Sequence, residues 1–471
     1  MKIEQFQRML KATSDQQSLP TPPEESVLEA AVDHGLSPKA QSNIPMHVYE
    51  RLLEVFRLRL YSVWPIVSHD ELITALRSNQ EDYESYSLAA ALCAAVIAQL
   101  RLPEHVVSSR SSSSELVAEA QRLRQLFEYR EQYSMSSLLT SFFLHIYYAN
   151  ADKLRTAGFY LRETLTYAHG LKLHQLDTYT GIDSRERQLR LRVYWILFIS
   201  ERTYCVQNGL PTTLKPMHEF PSADPTEGYD AAPVPAFIGL IRLFTFLDGD
   251  ILDSVPSSTS LACNLSAKDR ISTLQRDLSC HPLSEGLNES QGVDILATRN
   301  WIRILLWQYT IAHFAVSCHA RDQAFSALLP TTIARDMLSV LENVSWKSIQ
   351  PHGYGMVSGI HSLSGFRNNV LQELKVFRIA DSLLDVLLCA PPSPGTRGLL
   401  MDSRHALHLL EKVLVDVGGT ESQFLATLRK RMVESQLPVQ NTLENDLQLS
   451  RHLETDGNKK PMDGPGPVSN E

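Results

Sequence analysis

The run Asp183–Leu214, DSRERQLRLRVYWILFISERTYCVQNGLPTTL, limits the possible folds more than any other stretch of the chain. Leu189, Val193, Trp195, Ile196, Leu197 and Ile199 spread around too wide an arc for a helix with one face in water. Such a helix has to be enclosed by other elements. Asp183, with Glu186 three residues on, reads as a capping box at its start. Glu186 and Arg190 stand four apart, the spacing of a pair along one helix face. Gly209 and Pro211 end the helix and turn the chain away. Arg190, Arg192, Glu201 and Arg202 bracket the buried aromatic stretch. Charges in such a place must be paired, so the expectation is a structural ion-pair network around Trp195 rather than a catalytic centre.

A buried helix needs helical neighbours, and the apolar period supplies them. The spacing predicts helices over Val48–Val63, Leu116–Ser134 (with the following Met135–Asn150), Leu154–Leu171 and Pro235–Leu252. Further on it predicts Ala297–His319, Thr332–Val344, Leu371–Leu388, Met401–Val417 and Gln423–Ser435. Trp64-Pro65 forces an exit from the first of these, because the residue before proline avoids the helical region. His69-Asp70-Glu71 opens the next helix, with its acids complementing the dipole. Leu88–Ala98, LAAALCAAVIA, is the longest apolar run; eleven residues are too few to span a ~30 Å hydrocarbon layer. Asp253–Gly292 is low in hydrophobicity and reads as a long loop. No sustained alternation marks a strand. The expected fold is all-α: a core over 46–225, a further helical part of the same domain over 226–435, and polar, disordered tails at 1–45 and 436–471.

Lysine plus arginine number 44 against 53 aspartates and glutamates, a net charge of −9. That balance argues against a chain that grips nucleic acid through its own field. Arg429-Lys430-Arg431 is the only tight basic cluster, and it reads as a solvated helix end more than as a localisation signal. The six cysteines, Cys93, Cys205, Cys263, Cys280, Cys318 and Cys389, never approach a CxxC spacing, so they offer no chelating pair for zinc. Most sit in apolar helical surroundings, as reduced core residues do. MKIEQFQRML lacks the apolar centre of a signal peptide. The reading is a soluble, intracellular protein with no membrane partner.

Candidate chemistry is sparse. Asp248, Asp250 and Asp253 in LDGDILD could hold magnesium in an all-helical enzyme. That would need a second metal segment, and Asn369 with Glu373 is too closely spaced to supply one. The cluster reads instead as a solvated helix end. His313, Cys318 and His319 match no common metal spacing and read as core residues. Gly353, Gly355 and Gly359 miss both phosphate-loop patterns. There is no G-x-S-x-G and no H-E-x-x-H. No catalytic residue, metal ligand or cofactor site is assigned.

Two motifs carry a resemblance. Arg190 and Arg192 before Trp195, then Glu201-Arg202, then Gly209-Leu210-Pro211, resemble the signature helix of the fungal-specific transcription factor domain. That domain is the middle homology region of Zn2Cys6 regulators. Tyr61-x-x-Trp64-Pro65-Ile66-Val67 resembles the family's opening motif. LFISERTYCVQNGLP is most similar to the amylase, maltose and sucrose-utilisation regulators. Leu210 stands where the family usually has arginine, and Lys172, in AHGLKLH, where it has glycine. The resemblance implies a nuclear, non-enzymatic transcription regulator that takes no cofactor and responds to a small-molecule effector or to other transcription regulators and co-regulators. It further implies control of a fungal secondary-metabolite gene cluster or of carbohydrate-utilisation genes. With no zinc cluster in this sequence, DNA is expected to be reached only indirectly, or through a missing N-terminal cluster. The competing expectations are a non-DNA-binding interaction protein that modulates an activator, and the magnesium-dependent helical enzyme.

Overall fold

The computed structural model describes residues 41–100, 102, 112–222, 232–247, 261–280, 287, 289–342, 370–389, 397–418 and 422–435. Residues 1–40 and 436–471 of the expected tails, the aspartates at 248, 250 and 253, Asn369 and the glycine run at 353–359 lie outside these residues, whereas 41–45 lie within them, with Ile44 buried and the Asn43 amide donating to Glu119.

The described chain is all-α, with fourteen helices and no strand; an isolated parallel bridge joins Ser317 and Ser326. The first seven are α1 (Met46–Arg59), α2 (His69–Ser78), α3 (Tyr83–Leu100), α4 (Ser113–Arg124), α5 (Met135–Asn150), α6 (Leu154–Gly170) and α7 (Ser184–Asn208). The others are α8 (Val234–Thr245), α9 (Leu261–Cys280), α10 (Glu289–His313), α11 (Leu329–Glu342), α12 (Val370–Cys389), α13 (Arg397–Gly418) and α14 (Gln423–Glu434).

Helix α3 is the hub of the N-terminal half, packing against α1, α4 and α5. Residues Ala89 to Val96 are all fully buried, five of them alanines. Small side chains let three neighbours approach closely, which explains an apolar run that presents no single face. By length and composition α3 is the one helix among the described residues able to cross a membrane. Its neighbours instead bury it inside the protein.

Two hydrophobic cores share one helix. The larger core collects side chains from Ile44 through α1 to α8 and takes in Trp301, Ile302 and Leu306 of α10. The second takes Ala297, Ile304 and Trp307 of α10 together with residues of α11 to α14. Helix α10 is therefore buried around most of its circumference because it divides two cores.

The structure corrects several expectations. Helix α4 starts at a true capping box, Ser112 with Glu115, and stops at Arg124 instead of running to Ser134. Buried Arg124 lies 4.0 Å over the Tyr129 ring, which folds the following turn back onto the helix. Asp183 caps α7 through the Arg185 amide alone, while Glu186 pairs with Arg190. The stretch read as a loop at 253–292 contains α9. Among the described side chains of that helix, Ile271, Gln275 and Leu278 are the buried ones, a stripe too narrow to register as apolar. Helix α10 ends at His313, so His313 and His319 are exposed and Cys318 is half-buried, not core. No group of three or more potential metal ligands occurs among the described residues. Of the cysteines, Cys93 and Cys205 are buried but Cys280 and Cys389 are exposed. Arg429 and Arg431 are not a solvated end: they bind Glu411 of α13, and Asp381 and Asp385 of α12.

At the end of α6 the backbone makes a complete Schellman motif. The amide of Leu173 donates to Ala168 at 3.0 Å and that of Lys172 to His169 at 2.9 Å. The motif needs a left-handed residue, and Lys172 fills it at φ 55°. An L residue with a side chain is strained there, by ~1 kcal/mol. Lys172→Gly should therefore raise stability by about 1 kcal/mol in urea titration, less a few tenths for the freer unfolded chain. An unchanged or lower midpoint would contradict this account of the turn.

Candidate functional site

Helix α7 acts as a rack for the chain that follows it. Gly209 adopts φ 62° and the Leu210 amide returns to the Cys205 carbonyl at 3.0 Å, so the chain reverses direction. Residues 210–222 then run back along α7 without regular structure of their own. An irregular segment against a buried surface must find side-chain partners for its backbone groups. Helix α7 provides them in sequence.

Near its C-terminal end, the fully buried Glu201 carboxylate accepts from the amides of Thr213 and Leu214, both at 2.8 Å, and from the Thr213 hydroxyl at 2.6 Å. Arg162 of α6 adds a fourth donor at 3.2 Å and reaches the Pro211 carbonyl at 3.0 Å. Arg202, 1% exposed, donates to the carbonyls of Leu214 (3.0 Å) and Leu247 (3.2 Å), and its guanidinium lies 3.3 Å from the centre of the Phe198 ring. Two turns back, Tyr194 donates to the Lys215 carbonyl at 2.6 Å and the Trp195 indole to the Glu219 carbonyl at 2.9 Å. Trp195 also stacks on Phe220, with ring centres 5.2 Å apart. A further two turns back, Gln188 accepts from the Ser222 amide at 2.7 Å and Arg187 pairs with the Glu219 carboxylate at 2.6 Å. Gln188, Trp195 and Arg202 are spaced by seven, which keeps them on one helix face.

Charge and burial fit a structural role. Both Glu201 oxygens accept from protein donors and the carboxylate has no exposed surface, so it is closed to a substrate from solvent. Burial first, and the neighbouring Glu201 next, push the Cys205 thiol up to about 11, well away from a nucleophilic thiolate at neutral pH.

The sequence-chosen residues divide into three groups. Glu201 and Arg202 lie together at the strap, with Nη1 of Arg202 3.9 Å from Glu201. Trp195 holds the strap two turns away, and Gly209 and Pro211 form its first bend. Arg190 faces outward and pairs with Glu186 at 2.7 Å. Arg192, 5% exposed, instead lines a cavity of about 270 Å³ with Tyr61, Pro65 and Leu189. This cavity brings the two sequence motifs together, and Arg185 spans them by pairing with Glu71 of α2 at 2.7 Å. Trp64 is buried beside it, edge-on to Phe143 with ring centres 5.7 Å apart. Sequence reasoning missed Arg162, Arg187, Gln188 and Tyr194 as strap ligands. The seven-residue spacing of Gln188, Trp195 and Arg202 was a readable signal, but nothing in the sequence says that Arg162 reaches Glu201 from another helix. Leu210, in the arginine position of the family pattern, is 40% exposed at the bend.

This arrangement, an all-α core around a signature helix, agrees with a class of domain found by comparison. Residues 53–221, which span the opening motif, α7 and most of the strap, match the model of the fungal specific transcription factor domain. The relatives it resembles are regulators of sugar use and respiration. A probable sucrose utilization protein of Candida albicans is 24% identical over 69% of this chain and 66% of its own length. A maltose fermentation regulatory protein of Saccharomyces cerevisiae is 26% identical over 64% of this chain and 63% of its own. A respiratory transcription factor of the same yeast is 24% identical over 73% of this chain and 70% of its own. The chain thus spans about two thirds of the length of the first relatives it matches. No solved structure matches it.

The two classes of charge should separate experimentally. Arg202→Ala leaves the Leu214 and Leu247 carbonyls without their buried donor, and should cost roughly 1–3 kcal/mol for each. Arg190→Ala removes a partly exposed pair four residues apart, worth about 0.3–0.5 kcal/mol. Equal losses for the two variants in urea unfolding would contradict the strap geometry.

Proposed function

We propose that this chain is the regulatory part of a fungal transcription regulator that controls carbohydrate-utilisation genes in the nucleus. The match over residues 53–221, with relatives described as sucrose and maltose regulators, is the observation that carries the reading. The chain acts by binding other regulators or co-regulators and a small-molecule effector, and it catalyses nothing. The enclosed, backbone-bound carboxylate at Glu201 and the raised thiol pKa at Cys205 favour scaffold over catalysis. Its six cysteines hold no CxxC pair, so these 471 residues reach DNA through a partner or through a reader outside them. Residues 46–225 and 226–435 work as one unit, a reading favoured by the helix α10 that both cores share.

The test is a reporter assay in yeast with the chain fused to a heterologous DNA-binding domain. Reporter output should change several-fold between glucose and maltose or sucrose, at constant fusion abundance. The purified chain alone should not retard promoter DNA. Output that ignores carbon source, or sequence-specific retardation by the chain alone, would overturn the reading.

A further inference from the structure

A second cavity, of about 350 Å³, opens between α9, α10 and the short 3-10 helix Gln323–Phe325. That is ample for a small metabolite. Its lining is unusually cationic: Arg276 of α9, Arg303 of α10 and Arg321 of the intervening loop, against the single carboxylate of Asp322. Asp322 is already engaged. One oxygen accepts from Ser272 and the other caps the 3-10 helix through the Ala324 amide at 2.9 Å. Arg303 is 2% exposed and gives Nη1 to Asp336 at 2.6 Å and to Asn300 at 3.2 Å. Among the described residues no carboxylate pairs with Arg276 or Arg321, although Arg276 donates to the Thr273 hydroxyl at 3.3 Å. One turn before Arg303, Arg299 adds to the local positive charge. Its pKa is lowered, first by burial and then by Arg303 beside it.

Two of the residues that line this cavity each carry a buried atom with no protein partner among the described residues. Arg303 Nε is a donor without an acceptor, and Gln275 Oε1 is an acceptor without a donor. Gln275 is 5% exposed and its amide nitrogen is spent on the Arg303 carbonyl at 2.8 Å, which fixes its oxygen as the free end. A buried polar group left unmade costs ~1–3 kcal/mol, so each is a place where a ligand atom gains. The donor calls for an oxyanion and the acceptor for a hydroxyl. Arginine forks favour phosphate because they bind it bidentately.

We propose that this cavity binds a phosphorylated polyol, with the phosphate held by Arg276, Arg303 and Arg321 and a hydroxyl donated to Gln275. It is a metabolite site built mainly from α9 and α10, outside residues 53–221. It names a chemical class for the effector of the proposed regulator, and rests on that reading only for its physiological consequence. Binding by the purified chain is measured without a promoter, so its failure leaves the reporter result standing, and the converse holds.

The test is calorimetric titration and thermal unfolding of the purified chain with glucose 6-phosphate, inorganic phosphate and glucose as probes. Glucose 6-phosphate should bind at one saturable site and raise the unfolding midpoint. Inorganic phosphate should bind at least about tenfold more weakly, and glucose not measurably. The double variant Arg276→Ser/Arg321→Ser alters two exposed side chains with no carboxylate partner, so its ligand-free midpoint should match the wild type. Its affinity for glucose 6-phosphate should fall at least about tenfold. No saturable binding to the wild type, equal binding by the double variant, or equal affinity for inorganic phosphate would overturn the assignment.

Discussion

The carboxylate of Glu201 is the interaction on which the N-terminal half depends. It lies at zero exposure with no bulk water to solvate it, and the chain that leaves its own helix supplies the substitute: two consecutive amides and a hydroxyl. The dependence is mutual. The amides of Thr213 and Leu214 sit in irregular backbone and would be orphaned without the carboxylate. Arg202 repeats the exchange with opposite sign, giving guanidinium donors to carbonyls instead of a carboxylate to amides. Adjacent residues of opposite charge thus each satisfy backbone, and their direct attraction at 3.9 Å is secondary. The same helix continues the pattern through Trp195 and Gln188, so one α-helix secures about four turns' worth of returning chain.

Consequences spread from this clamp in two directions. Toward the N-terminus, the start of α7 faces the Tyr61–Val67 segment across a polar cavity and is tied to α2 by Arg185. Toward the C-terminus, Arg202 holds the Leu247 carbonyl just after α8, and α8 packs on α10. Helix α10 then belongs to both cores. A change in how α10 sits would be felt on both sides, since packed cores shift between discrete arrangements more readily than they deform. The cationic cavity against α9 and α10 stands where a bound metabolite would act on that shared helix.

Much of the fold was legible because helices announce themselves by period. The buried helix over 184–208 and the helices over 135–150, 154–170 and 423–434 were read within a residue or two of their ends. What period cannot show is a helix whose buried stripe is as narrow as Ile271, Gln275 and Leu278, and α9 therefore reads as a loop. Nor can it place an arginine beyond its own turn: Arg429 and Arg431 read as a free basic cluster, yet each closes α14 onto carboxylates of other helices. The candidate site was half visible. Charge next to a buried aromatic run pointed to Glu201 and Arg202 as paired groups. Their partners, however, are backbone atoms of a strap whose course is set by the left-handed turn at Gly209, and the ion pair expected around Trp195 is replaced by an aromatic stack and a carbonyl. Arg190 and Arg192, only two residues apart, face a solvent-side glutamate and a cavity because a helix rotates by about 200° over that step.

Amide hydrogen exchange on the native chain tests the clamp most directly. Thr213 and Leu214 lie in a segment with no secondary structure, where unprotected amides would exchange at the rate of an open loop. If Glu201 holds them as described, both are strongly protected in the wild type. Glu201→Gln, with one amide oxygen in place of two carboxylate oxygens, should lose protection at these two positions first, while α3 stays protected. Loop-like exchange at Thr213 and Leu214 in the wild type would contradict the account.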